Sequence, residues 1–186
     1  EGMLPDLLIG SWSFSTVAGA VAIGPDPYST AWFSSEGNGL QIAQYDDVYT
    51  FNPDGTLTLN YNGSIIDAFQ GYSEQPYQCG SANLLFNPGA GTSGEDQFSL
   101  VPSGGSCSCP FMGTNDGGLN YDIVELSSTT LVLHAQTDDV NCNSTPSSGY
   151  FTYIFSKVND GDGGGLDDSG YQGADSYPGM TLVWSD

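Results

Sequence analysis

Along this chain apolar and polar residues alternate in short runs, separated by clusters of Gly, Pro, Asn, Asp and Ser. That period-two pattern with turn punctuation is the signature of β-strands rather than helices. The clearest instance is Val48-Tyr49-Thr50-Phe51 followed by Thr56-Leu57-Thr58-Leu59-Asn60-Tyr61, with Asn52-Pro53-Asp54-Gly55 between them. Pro fixes φ and Gly takes a left-handed position, so a hairpin is predicted. Leu57, Leu59 and Tyr61 should face inward, and Thr56, Thr58 and Asn60 should face water. Looser alternation through Leu8, Gly10, Trp12 and Phe14 predicts a first strand over 7–17. Residues 18–38 break into Gly24-Pro25-Asp26-Pro27 and Trp32-Phe33, which reads as a long loop with room for one helical turn.

Further strands are predicted at 65–69, 84–86 and 97–101, then in a closing meander at 121–126, 131–136 and 150–158. In the last of these Phe151, Tyr153 and Phe155 share one face. Regularly spaced antiparallel strands imply an all-β, up-and-down barrel, closed so that no strand edge is left bare. The middle stretches, rich in Gly, Ser, Asn and Pro, read as long loops decorating one barrel mouth. At 186 residues the chain suits one domain with a real core. The predicted organisation is a barrel over 1–158 and a Gly/Asp-rich linker over 159–176, with residues 177–186 beginning something else.

Charge changes the picture most, because 22 acidic residues face a single Lys157 and there is no Arg. Reading nucleic acid, or adhering to an anionic membrane, requires Lys and Arg to displace counterions, so neither partner is expected. A solvated acidic surface of this kind suits salty water, where repulsion is screened. No apolar run approaches the roughly 20 residues of a spanning helix, so membrane insertion is not expected. Nothing at Glu1 reads as a signal peptide, and a mature or trimmed product is the expectation.

The cysteines are Cys79, Cys107, Cys109 and Cys142. The Cys107-Ser108-Cys109 spacing is too tight for zinc-knuckle pairs, and no second His exists to complete a mixed site. Two disulfides are predicted instead, with Cys107 and Cys109 reaching separately for Cys79 and Cys142 in an order left open. An oxidising, secreted or cell-surface location follows from that expectation.

Two stretches resemble known families. Gly10-Ser11-Trp12 is similar to the Gly-x-Trp signature of lipocalin-like (calycin) barrels, in which the Trp plugs the closed end. The wider series Gly24-Pro25, Ala31-Trp32-Phe33-Ser34, Tyr45-Asp46-Asp47, Tyr49-Thr50-Phe51-Asn52, Asp54-Gly55-Thr56, Phe69-Gln70-Gly71 and Cys79-Gly80 resembles lipocalin-like modules of marine Bacteroidetes secreted proteins. Gln44 departs from that pattern, since relatives often carry a Cys near this point, so their disulfide pairing is not transferred. At the other end, Tyr177-Pro178-Gly179-Met180-Thr181-Leu182-Val183-Trp184-Ser185-Asp186 resembles the opening strand of family 16 glycoside hydrolases. Together these resemblances imply a non-catalytic accessory module tethered to a laminarinase-like catalytic domain. The Glu-x-Asp-x-x-Glu signature of that hydrolase family is absent, so no glycosidase activity is expected here.

For such a module the implied partner is a polysaccharide or oligosaccharide, β-glucan first. Flat aromatic rings stack on the apolar face of a pyranose while amides and carboxylates take its hydroxyls. Tyr28 and Trp32 in the first long loop, and Phe69, Gln70, Tyr72 and Tyr77 in the second, are the candidate ligand-binding residues. Tyr72 and Tyr77, flanked by polar residues, are the expected exposed pair, whereas Trp12 is expected in the core. Asp46 and Asp47 form a candidate Ca2+ site, no other cofactor being implied. Asp160-Gly161-Asp162-Gly163 lacks the bidentate Glu of a calcium loop, since Tyr171 stands at its twelfth position. His134, the single histidine, is expected at the surface or loosely packed. Competing expectations are a structural or self-assembling extracellular module without a ligand, and a carrier of a small apolar molecule inside the barrel.

Overall fold

The computed structural model describes residues 2–103, 107–138 and 147–159. The expected linker beyond Asn159, the hydrolase-like stretch 177–186 and Cys142 lie outside the described residues. The strands are β1 (Gly10–Phe14), β2 (Val21–Gly24), β3 (Phe33–Ser34), β4 (Val48–Phe51), β5 (Thr56–Asn60) and β6 (Ser64–Asp67). They continue with β7 (Ser73–Pro76), β8 (Ser81–Asn87), β9 (Asp96–Val101), β10 (Asn120–Leu126), β11 (Thr130–Gln136) and β12 (Tyr150–Lys157). One helical turn, α1 (Ile42–Tyr45), precedes β4, and a 3-10 turn, Ala68–Gln70, follows β6. Among the described residues no helix is long and apolar enough to cross a membrane.

Eight strands, β1, β4, β5, β8, β9, β10, β11 and β12, pair antiparallel in that order, and β12 closes on β1 through Trp12↔Lys157 and Phe14↔Phe155. This is the closed up-and-down barrel that the alternation predicts. The hairpin forms as expected: Gly55, at φ 83, closes the turn by donating to the Asn52 carbonyl at 3.1 Å. Leu57, Leu59 and Tyr61 are buried, while Thr58 and Asn60 are exposed.

The first strand is shorter than predicted, ending at Phe14. The chain then resumes alongside β12 as β2, pairing Val21↔Tyr153 through Gly24↔Tyr150. The predicted loop over 18–38 therefore contains two strands, β2 and β3. All four β2 residues are buried, so its sequence carries no alternation to read. Its helical turn is absent; α1 lies later, just before β4. The predicted strand at 65–69 stops at Asp67, and β6 pairs with β7 as a separate hairpin beside the barrel.

One barrel end is sealed around Trp12, which is fully buried and donates its indole N–H to the Leu8 carbonyl at 2.9 Å. Lys157 lays its ammonium 4.4 Å above the Trp12 ring and donates to the carbonyls of Leu7 and Ile9. Gly10 is the residue that admits it. A Cβ there would come within 3.0 Å of the Lys157 side chain, and its φ of 114 is hostile to any other residue.

Inward positions are filled by rings: Phe51, Phe98, Tyr121, Phe151, Tyr153 and Phe155 are all fully buried. At the end opposite Trp12, residues 111–114 plug the barrel and are held by four tyrosine hydroxyls. Tyr61 Oη donates to the Phe111 carbonyl at 2.6 Å, and Met112 N–H donates to Tyr121 Oη at 2.9 Å. Gly113 N–H donates to Tyr49 Oη at 3.2 Å, while Thr114 Oγ1 and Tyr153 Oη lie 2.7 Å apart. The disulfide Cys79–Cys107 ties the approach to this plug back to the chain before β8, taking one of the two pairings left open. Cys109 is also disulfide-bonded. Among the described residues the barrel interior is lined by these buried rings and capped by the plug.

Candidate functional site

Over the plugged mouth lies a cavity of about 380 Å³ that collects residues from distant parts of the chain. Trp32, Phe69 and Tyr72 line it together with Asp116, Thr137 and Asp138. Three of the aromatic candidates named from sequence are therefore brought to one place.

Each is positioned by backbone that the local sequence dictates. Trp32 sits on the segment entering β3, with its N–H donating to the Ile23 carbonyl at 3.1 Å. The indole lies against Gly149, and the side chain remains 47% exposed. Phe69, 37% exposed, is presented by the 3-10 turn, which Asp67 caps by accepting the Phe69 N–H at 2.9 Å. Asn115 fastens this turn to the plug: its Oδ1 accepts from Ala68 N–H and its Nδ2 donates to Asp67 Oδ1, both at 2.9 Å. Gly71 ends the turn in the left-handed region, and Tyr72 follows at φ 56. That conformation is costly for a tyrosine, and it delivers the phenol to Asp116 Oδ2 at 3.1 Å.

Asp116 is the chemical centre of the cavity. Burial pushes its carboxyl above the usual carboxylate range, against the hydrogen bonds from Thr114 and Tyr72, with nearby Asp138 adding to the rise. Its Oδ1 is buried without a hydrogen-bond partner among the described residues. Burial, first, and then Asp116 also push the Tyr72 phenol up, so it stays a neutral donor. The arrangement offers flat apolar surface beside an acceptor oxygen, Asp116 Oδ1, that no described residue engages.

The other candidates go elsewhere. Tyr28 packs edge-on against His134, with ring centroids 4.1 Å apart, on the barrel's flank. His134 itself, expected at the surface or loosely packed, is buried. Gln70 is exposed at the end of the 3-10 turn, its carbonyl accepting from Ser73 Oγ at 2.8 Å. Tyr72 and Tyr77, expected exposed, are half-buried. Tyr77 is a strut, its ring against Tyr61 and Phe111 and its hydroxyl donating to the Cys109 carbonyl at 2.7 Å.

Asp46 and Asp47 turn to different partners: Asp46 Oδ2 accepts from Asn62 at 2.9 Å, and Asp47 Oδ2 accepts from Tyr49 Oη at 3.0 Å. Burial raises both carboxyls, Asp47 well above its ordinary value. Among the described residues no three His, Cys, Asp or Glu side chains are grouped to hold a metal ion. Sequence reasoning missed Asp116 and Thr137, whose local setting in Asn115-Asp116-Gly117-Gly118 and at a strand end marks them only as turn-like. No protein-family model and no curated protein matches this chain.

Proposed function

We propose that this barrel is a non-catalytic carbohydrate-binding module of a secreted glycoside hydrolase, and that it holds a neutral glycan, β-glucan first, at the plugged mouth. The observation that carries the reading is the convergence of Trp32, Phe69 and Tyr72 on one cavity with Asp116, whose Oδ1 is buried without a partner among the described residues. Rings take the C–H face of a pyranose, and a carboxylate accepts from its hydroxyls. A neutral glycan is favoured over a sulfated one because the chain's only Lys or Arg is Lys157, engaged at the far end of the barrel. The hydrolase-like sequence at 177–186 supplies the parent-enzyme part of the proposal, with binding raising the tethered enzyme's effective concentration on its substrate.

Calorimetry or affinity electrophoresis against laminarin, agar oligosaccharides and carrageenan tests it. Saturable binding to laminarin that Trp32→Ala weakens at least about tenfold is the expected result. A folded module that binds none of the three glycans sinks the reading and leaves a structural, ligand-free role.

A further inference from the structure

The outer wall of the barrel carries a second cavity with different residues. A polar row crosses four neighbouring strands on their outward faces: Gln97 on β9, Asp122 on β10, His134 on β11 and Thr152 on β12. They are direct ladder partners, Gln97↔Asp122, Asp122↔His134 and His134↔Thr152. Outward positions of a solvated barrel are ordinarily wet, yet Asp122 is 6% and His134 3% exposed. The loop between β8 and β9 covers them, with Thr92 N–H donating to Asp122 Oδ2 at 2.9 Å, and Tyr28 lies over the imidazole. Beside this row opens a cavity of about 250 Å³, reached by Asn120, Asp122, His134, Gln136 and Tyr150.

Two independent features mark this place as more than wall. His134 Nε2 and Thr152 Oγ1 are buried with no hydrogen-bond partner among the described residues, an arrangement that costs stability and calls for a reason. Tyr28 stands at φ 65 in the turn that Ser29 N–H closes onto the Asp26 carbonyl, directly after Pro27. That turn position favours Gly or Asn, and here it carries the large ring that covers His134.

We propose that this wall cavity is a second binding site, for a single neutral sugar ring or a polyol of similar size. Side-chain amides, a carboxylate and a phenol supply both donors and acceptors for hydroxyl groups, and Leu119 gives an apolar contact for the ring's C–H face. The volume falls below the roughly 300–1,000 Å³ of sites for larger ligands, which fits one ring and not a chain. An anionic sugar would meet Asp122 and nearby Glu95, against a histidine that burial keeps neutral despite both. The strand ends Gln136-Thr137 and Gly149-Tyr150 form the ridge between the two cavities, Thr137 and Gly149 on the mouth side and Gln136 and Tyr150 on the wall side.

The chain's single histidine makes the site directly readable. Glucose, galactose and glycerol are titrated separately into the full 186-residue chain while the His134 imidazole resonances are followed by NMR. A saturable shift is expected with at least one of the three, retained in Trp32→Ala and weakened about five- to tenfold by Gln136→Ala and by Asn120→Ala. Asn120 is exposed, so its variant keeps the test open should Gln136→Ala fail to give native amide dispersion. An imidazole unmoved by all three probes, or a shift that Trp32→Ala abolishes and the folded wall variants do not weaken, overturns the site. The mouth reading fails separately, by loss of laminarin binding while the His134 shift persists.

Discussion

The indole of Trp32 occupies the space that a side chain on Gly149 would need: a Cβ there would come within 2.6 Å of Trp32 Cζ3 and 2.9 Å of Thr137 Cγ2. Glycine at this position therefore seats the ring at the rim of the mouth. Gly149→Ala should push the indole off its seat and weaken laminarin binding about tenfold, the scale of one aromatic contact. Trp32→Ala should cost at least as much, and adding Gly149→Ala to it should cost less than Gly149→Ala costs alone, because the two share one ring and only the contact with Thr137 is left to lose. Calorimetry on the two single variants and the double variant reads this directly; additive losses would contradict it.

At the opposite end Lys157 is the sole cation of the barrel and is fully engaged with Trp12 and two carbonyls. Lys157→Met keeps the stem but removes the charge and its donors, so a loss of about 2–3 kcal/mol is expected. For a domain of this size the melting temperature should fall by about 2–4 °C for each kcal/mol. Glycan affinity should not change, since the mouth lies at the other end of the strands. A melting temperature within a degree of wild type would show the cation to be idle.

The barrel strands legible in the sequence are those with one face inward and one in water, because these alternate; β6, read from its apolar Ile65-Ile66, lies beside the barrel and does not. β2 was hidden by burial on both faces, and β7, Ser73-Glu74-Gln75-Pro76, by having no apolar residue before its terminal proline. Trp32, Phe69 and Tyr72 could be named because aromatic rings in polar loops are unusual. Tyr77 sits in much the same polar setting as Tyr72, yet its ring packs 5.1 Å from Tyr61 and 5.7 Å from Phe111, contacts no local pattern encodes. Asp116 was one acid among 22, and only the long-range contact with Tyr72 singles it out.

The plug ought to fail before the barrel does. Cys79 and Cys107 are 28 residues apart, and replacing both with Ser removes a cross-link worth about 3–4 kcal/mol by loop entropy. Gly113→Ala attacks the same segment differently, since its φ is +87 and a Cβ would lie 2.8 Å from the Tyr153 ring. A cost of at least about 2 kcal/mol is expected there. Because Asn115 and Asp116 ride on the plug, laminarin binding should weaken in both variants while far-UV circular dichroism stays β-type. Hydrogen exchange should quicken first at Met112 and Gly113; equal quickening throughout the barrel would argue against a separable plug.

Tyr28 shields His134, and burial holds that imidazole below its ordinary pKa against the pull of Asp122 and Glu95. A lowered native pKa means that the stabilising contribution is present above the unfolded value of about 6.5 and is lost as pH falls through it toward the native one. Tyr28→Ala should rehydrate the ring, move its pKa back toward about 6.5 and flatten this part of the stability profile. NMR titration of the His134 resonances measures the pKa, and chemical unfolding at pH 5 and pH 8 measures the profile. An unchanged pKa would mean that the strands and the loop before β9, not Tyr28, keep the water out.

Asp47 gives the opposite dependence. The residue is 2% exposed and burial raises its pKa well above 3.8, opposed by the Tyr49 hydrogen bond and reinforced by Asp46. With the native value raised, the favourable contribution is complete below the unfolded pKa of about 3.9 and disappears as pH climbs through the native value. Asn at this position keeps an acceptor for the Tyr49 hydroxyl and carries no charge to desolvate. Asp47→Asn should therefore stabilise the module at pH 8, leave it nearly unchanged at pH 3, and make its stability flatter between them. The same pair of proteins tests the Asp46-Asp47 cation site. A melting temperature that rises with added CaCl2 in the wild type, together with an Asn variant less stable at pH 8, would mean that the carboxylate is held ionised by a metal, whereas indifference to calcium and a more stable variant mean that it is simply a buried acid.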